Sequence, residues 1–185
     1  YDSKLDMRFD LNYKKTAHDI LNSYSVHRLA SIIRDYGEEK NYKNIAKNIV
    51  RYSKKNKMNT TYNLKNAIIE STNYKANMSK IFSRVFQAVR IEVNNEFKSI
   101  EKMIQSLPYR VKAGGRILWL TFHSLEDRLV KRSTFSLNNQ RIQTDYGEKR
   151  IMLLSKKTIK PSRPEILKNR RSRSAKLRGL IITEC

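Results

Sequence analysis

The sequence predicts an α/β chain whose first part is helical and whose second part carries strands. Three observations predict it. Apolar residues recur at steps of three or four from about residue 11 to Leu107, the period of a one-faced helix. The turn "KAGGR" is then followed by the continuous apolar run "ILWLTF", Ile117 to Phe122. Farther on, "RIMLLSKK" and "AKLRGLIITE" have the length and apolar content of strands.

Four short helices are expected in residues 11 to about 75. In the first, Thr16 and Asp19 resemble a capping box ahead of Ile20, Leu21 and Tyr24. Ser25 can cap the second, which carries Leu29, Ile32, Ile33 and Tyr36 on one face and reaches Gly37, a common helix stop. The third places Tyr42, Ile45, Ala46, Ile49 and Val50 at helical spacing before the polar "SKKNK". Thr60 or Thr61 opens the fourth, with Leu64, Ala67 and Ile68. These apolar stripes read as the core of a small bundle.

Phe82, Phe86, Val89, Val93, Phe97, Ile100, Ile104 and Leu107 then predict one long amphipathic helix that stops near Pro108. The run "ILWLTF" fits a strand buried on both faces, as in a parallel sheet. Leu125, Leu129 and Val130 predict a helix through about Phe135. Residues 136–149 are polar and are expected to be a loop. The two last strands are separated by a linker that holds Pro161 and Pro164.

Composition narrows the function classes. The 185 residues suffice for one medium domain, or a domain with a small insertion. The net charge of +22 favours a polyanion partner, nucleic acid before an anionic membrane surface, against the plainer alternative of a Lys- and Asn-rich proteome. The charge is also concentrated: from Lys156 to Arg178 ten basic residues stand against one acid, Glu165. No apolar run approaches the ~20 residues that span a bilayer, so no membrane span is expected, and with nucleic acid preferred no membrane partner is assigned. The single Cys185 excludes an internal disulfide and points to a reducing compartment. With His18, His27 and His123 it shows no metal-ligand spacing, and no metal is expected.

Several stretches carry a family resemblance: "LDMRFD", "TAHDILNSYS", "RDYGEEK", "FQAVRIEVNNEF", "GGRILWLTFHSLEDRLVKR" and "RSRSAKLR". Together and in this order they resemble the bacterial 16S rRNA cytosine-N4 methyltransferase family, RsmH or MraW. "FHSLEDR" and "RSRSAKLR" are the most specific of them. The resemblance covers nearly the whole chain and departs from the family at Lys4, where Pro is usual, and in "NNQRIQTDYGEKR", which does not align clearly.

The resemblance implies the C-terminal half of a Rossmann-like class I methyltransferase sheet with an α-helical insertion domain. Residues 1–10 would be the junction from the core, 11–78 the insertion and 79–185 the second half of the core. It implies S-adenosyl-L-methionine as cofactor, 16S rRNA in the small ribosomal subunit as partner, and a cytoplasmic location. The family's Gly-rich donor loop and principal catalytic residues precede the stretch matching "LDMRFD" and are expected upstream of Tyr1. No catalytic or cofactor-binding residue is therefore assigned between Tyr1 and Cys185. Gly114 and Gly115 precede a strand rather than follow one, and are read as a turn.

What remains are supporting candidates. Asp6 and Arg8 are read either as a substrate-pocket wall or as a salt-bridged hinge. His123 and Ser124 stand at the strand tip, where open α/β sheets bind ligands; alternatively Ser124 is a helix N-cap with Asp127 three residues on. Glu126 and Arg128 are expected in surface or interdomain ion pairs. Lys156, Lys157, Arg170, Arg171, Arg173, Lys176 and Arg178 are candidate RNA-phosphate contacts, against the reading of a strand edge protected by charge. Two functions stay open: methylation of the N4 amine of a cytidine in 16S rRNA, with this chain a fragment inactive alone, or a non-catalytic RNA-binding module.

Overall fold

The helices begin where short polar side chains can accept the first free backbone N–H groups. The computed structural model describes residues 2–72 and 77–185. Tyr1, the start of the expected junction and the point upstream of which the catalytic residues are expected, lies outside the described residues. So do residues 73–76 of the expected insertion. Thr16 and Asp19 form the expected capping box at the start of α1 (Ala17–Ser23). Ser25 caps α2 (Val26–Asp35) through the Arg28 N–H. Thr60 and Asn63 form a second box at α4 (Thr61–Glu70). Each such cap is worth about 1 kcal/mol. Between them lies α3 (Tyr42–Lys55).

Gly37 serves closeness rather than a left-handed turn. A Cβ there would stand 2.6 Å from the Ile33 carbonyl oxygen and 2.8 Å from that of Arg84. The left-handed residue is its neighbour Glu38, at φ 50°.

The expected long helix is two. α5 (Met78–Asn94) and α6 (Glu96–Arg110) are interrupted by Asn95 at φ 49°. Periodicity continues across the break because one left-handed residue barely disturbs the count of apolar positions. Pro108 does not stop α6, which runs on to Arg110.

The chain folds as two compact units, 1–96 and 97–185. Among the described residues the first is all helical apart from one bridge, Lys4 with Thr60. Its core gathers Ile20, Leu21, Leu29, Ile33, Ile45, Ile49, Leu64 and Ile68 with Val85, Val89 and Val93 of α5. Thus α5 packs with the bundle.

The second unit holds a four-stranded sheet in the order β1-β4-β3-β2, formed by β1 (Arg116–Thr121), β2 (Arg141–Thr144), β3 (Gly147–Leu153) and β4 (Lys176–Glu184). All three pairings are antiparallel. This corrects the expectation of a strand buried on both faces in a parallel sheet. β1 is an edge strand with alternating burial: Ile117 and Trp119 face the core, whereas Leu118 and Leu120 are exposed. One covered face is what an antiparallel sheet allows. Ile104 of α6 and Val130 of α7 (Ser124–Leu137) fill the core with Ile142, Ile151, Leu180 and Ile182.

Two further expectations change. Residues 136–149 are not a loop, since β2 and the start of β3 form a hairpin turning at Asp145 and Tyr146, with Gly147 at φ 93°. The linker around Pro161 and Pro164 contains α8 (Arg163–Lys168), capped by Ser162, and a 3-10 helix (Arg170–Ser174). The final two strands do pair antiparallel, Ile151 opposite Ile182.

Candidate functional site

In the first unit the "LDMRFD" stretch is fastened at both ends. Leu5 is buried, its N–H donates to the Asn59 carbonyl at 3.0 Å, and its own carbonyl accepts from the His18 N–H at 2.7 Å. Met7 takes φ 62°. Buried Asn94 then clamps the chain: its Nδ2 donates to the Met7 carbonyl at 2.8 Å and its Oδ1 accepts from the Phe9 N–H at 2.7 Å.

Arg8 forks onto Asp6 at 2.7 and 2.9 Å and donates onward to the carbonyls of Leu11 and Tyr13, both at 2.8 Å. The guanidinium holds the Asp6 carboxyl below the usual carboxylate range, chiefly through its hydrogen bonds. Beyond this ion pair, Arg8 lines a cavity of about 470 Å³ with Met7, Phe9, Ser83, Phe86, Gln87 and Arg90. Phe9 stands 72% exposed there, with the Arg90 guanidinium 5.9 Å from its ring centre. Arg90 is itself forked onto Glu96 at 2.7 and 3.0 Å.

In the second unit the strand tip is capped by His123 and not by Ser124. The His123 Nδ1 accepts from the Glu126 N–H at 3.3 Å, and Ser124 is the first helical residue. Glu126 turns back to accept from the Phe122 N–H at 3.0 Å. Its carboxylate lies 3.1 Å from His123 Nε2. Glu126 is therefore part of the helix start rather than a surface ion pair. Burial alone would push its carboxyl up; the His123 imidazole and the Phe122 N–H outweigh that and bring it below the usual range. Arg128 is exposed.

Asp127, read as Ser124's capping partner, binds two strand residues instead. Its carboxylate accepts from Arg178 Nε at 2.7 Å and from Lys176 Nζ at 3.0 Å. Burial raises its carboxyl, and the hydrogen bonds of Arg178 and Lys176 overcome that, leaving it lowered. The register of β1 on β4 sets Thr121 opposite Lys176 and Trp119 opposite Arg178, so both cations reach the first turn of α7.

The basic stripe is therefore divided. Lys176 and Arg178 belong to the Asp127 clamp, in an inner strand. Lys156, Lys157, Arg170, Arg171 and Arg173 are exposed, the last three in the 3-10 helix and not on a strand edge. Arg170 and Arg173 line a hollow with Ile166 and Leu167. Sequence reasoning missed Phe9, the chain neighbour of Arg8, missed Gln87 and Arg90, which only the fold brings to Arg8, and missed the role of Asp127. A signal for the latter existed, as Asp127 and the Lys176–Arg178 pair sit in the two most distinctive motifs. Among the described residues no His, Cys, Asp or Glu group could hold a metal ion, and no helix is long and apolar enough to cross a membrane.

The fold is mixed α/β, with a helical unit, a small antiparallel sheet and cation-rich surfaces. The profile of the MraW methylase family matches residues 1–182, and the chain belongs to that family. It is 44% identical over 174 residues to the ribosomal RNA small subunit methyltransferase H of Elusimicrobium minutum, covering 94% of this chain and 56% of that protein. The protein of the same name from Carboxydothermus hydrogenoformans is 43% identical over 187 residues, covering 97% and 60%. That of Mycoplasmopsis synoviae is 40% identical over 179 residues, covering 96% and 58%. The chain thus spans somewhat over half the length of the curated relatives it matches.

Proposed function

We propose that the protein to which this chain belongs transfers a methyl group from S-adenosyl-L-methionine to the N4 amine of a cytidine in 16S rRNA of the small ribosomal subunit, in the cytoplasm. The observation that carries this reading is the family match over residues 1–182, with relatives named as ribosomal RNA small subunit methyltransferases. In it, residues 79–185 are the second half of a Rossmann-like class I core, 11–78 a helical insertion and 1–10 the junction. The principal catalytic residues then belong upstream of Tyr1. Arg8 and Asp6 are the candidates for a substrate-pocket wall in the first unit, and His123 and Ser124, at the strand tip, are the candidates in the second.

The residues present do not fit the methyl donor. A donor site in this architecture needs a glycine turn after a strand, where backbone can approach the ligand. Here the residues after β1 are Phe122, His123 and Ser124. Gly115 precedes β1, and its position is filled from within, as a Cβ there would stand 2.3 Å from Val111 Cγ1. Gly179 lies inside β4, against Leu118. What this chain's residues can do is bind and orient. The exposed Lys156, Lys157, Arg170, Arg171 and Arg173 suit phosphates, which give affinity without reading sequence.

Mass spectrometry of rRNA from cells lacking the full-length protein is expected to show one 16S cytidine without its N4 methyl. An unchanged methylation pattern, with RNA binding retained by the chain, would leave the non-catalytic RNA-binding reading in its place. Replacing Arg170, Arg171 and Arg173 with Gln is expected to weaken binding to any RNA sequence. It should flatten the salt dependence by roughly 0.7 log units per lost contact on single strands. An untouched slope would make those arginines plain solvated surface.

A further inference from the structure

α3 is built against its own electrostatics. Its sequence, YKNIAKNIVRYSKK, carries Lys43, Lys47, Arg51, Lys54 and Lys55 and no acid. Lys43, Lys47 and Arg51 repeat at intervals of four, which stacks three like charges on one face and costs the helix a few tenths of a kcal/mol per pair. Arg51 is relieved by Glu70 at 3.3 Å. Among the described residues Lys43 and Lys47 make no ion pair. A helix held in the bundle by Ile45, Ala46 and Ile49 tolerates that cost, but packing does not require the lysines.

The same two lysines border a cavity. Between α2 and α3 lies a hollow of about 390 Å³, lined by Val26 and Ala30 below and by Arg34, Tyr42, Lys43 and Lys47 with His27 and Ser31. Every charged side chain on that lining is basic, although Arg34 is itself forked onto Asp35 at 2.7 and 3.1 Å, which leaves Lys43 and Lys47 as the cations without an acidic partner among the described residues. Tyr42 is half-buried, and its ring faces the Arg34 guanidinium at 5.8 Å and the Lys43 ammonium at 5.9 Å. Lys47 also lines a second hollow, of about 250 Å³, with Asn44, Asn48, Ser71 and the Arg51–Glu70 pair. One lysine is thus shared by two depressions along one helix, with amides and a hydroxyl beside it. An aromatic ring flanked by cations, an apolar floor and a row of ammonium groups are the parts of a single-strand nucleic-acid groove: cations track the backbone and the ring stacks a base.

We propose that the groove between α2 and α3 binds single-stranded RNA, with Lys43 and Lys47 on phosphates and Tyr42 stacking a base. It deepens the rRNA reading above by adding a contact surface in the helical unit, separate in sequence from the 3-10 helix arginines. Lys43 and Lys47 are positioned by α3 and not by an acidic partner, so the site is open before RNA arrives.

The test is fluorescence anisotropy of a short labelled oligouridylate titrated with the 185-residue chain at several salt concentrations. The double variant Lys43→Gln, Lys47→Gln keeps helix propensity and is expected to lower the salt slope by roughly 0.7 per lost contact. Tyr42→Leu is expected to weaken binding between about 5- and 150-fold with the slope unchanged, while Tyr42→Phe, which keeps the ring, binds like the parent. Thermal melts check each variant's fold, and if Tyr42→Leu unfolds, the lysine pair alone decides. Wild-type affinity and slope in the double variant would overturn the proposal. So would equal competition by polyglutamate, which would make the groove a general anion surface. The rRNA mass spectrum is read independently, so failure of the groove and failure of the methylation reading are distinguishable.

Discussion

The Asp127 carboxylate shows how one residue joins distant parts of the second unit. It is 8% exposed and meets Lys176 and Arg178, about fifty residues on. Removing one partner of such a buried cluster leaves uncompensated charge, at a cost of about 3–5 kcal/mol. Asp127→Asn is therefore expected to lower the urea-unfolding free energy by that order at pH 7. The pH dependence has a definite sign. The folded carboxyl lies below its unfolded value, so its contribution is complete above about pH 4 and fades as pH falls through the lower folded value. Parent and variant stabilities should converge below pH 4; a gap that stays constant into acid would mean the carboxylate charge is not what stabilises. Thr16 and Ser25 were legible as caps because a cap and its N–H lie three residues apart, and the fourth helix start was legible to within Thr60 or Thr61. The Asp127 clamp was not, since it depends on strand register. His123 hid for another reason: an imidazole can cap a helix, but short oxygens are the usual cue.

At the scale of elements, the local period was legible and its interruptions were not. The stripe from Phe82 to Leu107 reads as one helix, yet Asn95 turns left-handed between α5 and α6. A residue with a Cβ costs roughly 1–2 kcal/mol there, and Asn tolerates it better than most. Asn95→Ala is expected to lower the melting temperature and Asn95→Gly to hold or raise it; equal effects of the two would show that the backbone angle is not what matters. The β2–β3 hairpin was missed because most of its strand residues are polar or charged and only Ile142, Ile151, Met152 and Leu153 advertise a core. Its turn cue, Asp145-Tyr146-Gly147, was present. "ILWLTF" misled in the opposite direction. Continuous hydrophobicity predicted two buried faces, and the structure buries one, with Leu118, Leu120 and Phe122 all exposed.

Over the whole molecule, the question is what this chain can do by itself. It has two cores, and the helical one gathers more than twice as many buried side chains as the sheet's. The sheet unit also carries β1 as an open edge with an apolar outer face, a liability in water. Stability and ligand capacity should therefore diverge between the units: the bundle protects its amides, while the sheet opens first. In the function proposed above, the methyl-donor site belongs to neither unit. The five glycines of the chain serve a helix–helix approach at Gly37, the turn before β1, the hairpin at Gly147 and a close strand contact at Gly179. None lies between a strand end and a following helix. Calorimetric titration of the 185-residue chain with S-adenosyl-L-methionine is accordingly expected to show no saturable heat at millimolar concentration, where even ~1 mM affinity corresponds to about −4 kcal/mol. Under the same conditions the chain should still bind oligouridylate if the proposed RNA contacts hold, because the exposed cations are on its own surface. A one-to-one donor isotherm at micromolar affinity would instead place the methyl-donor site within these residues, with the cavity beside Arg8 and Phe9 as the first place to look.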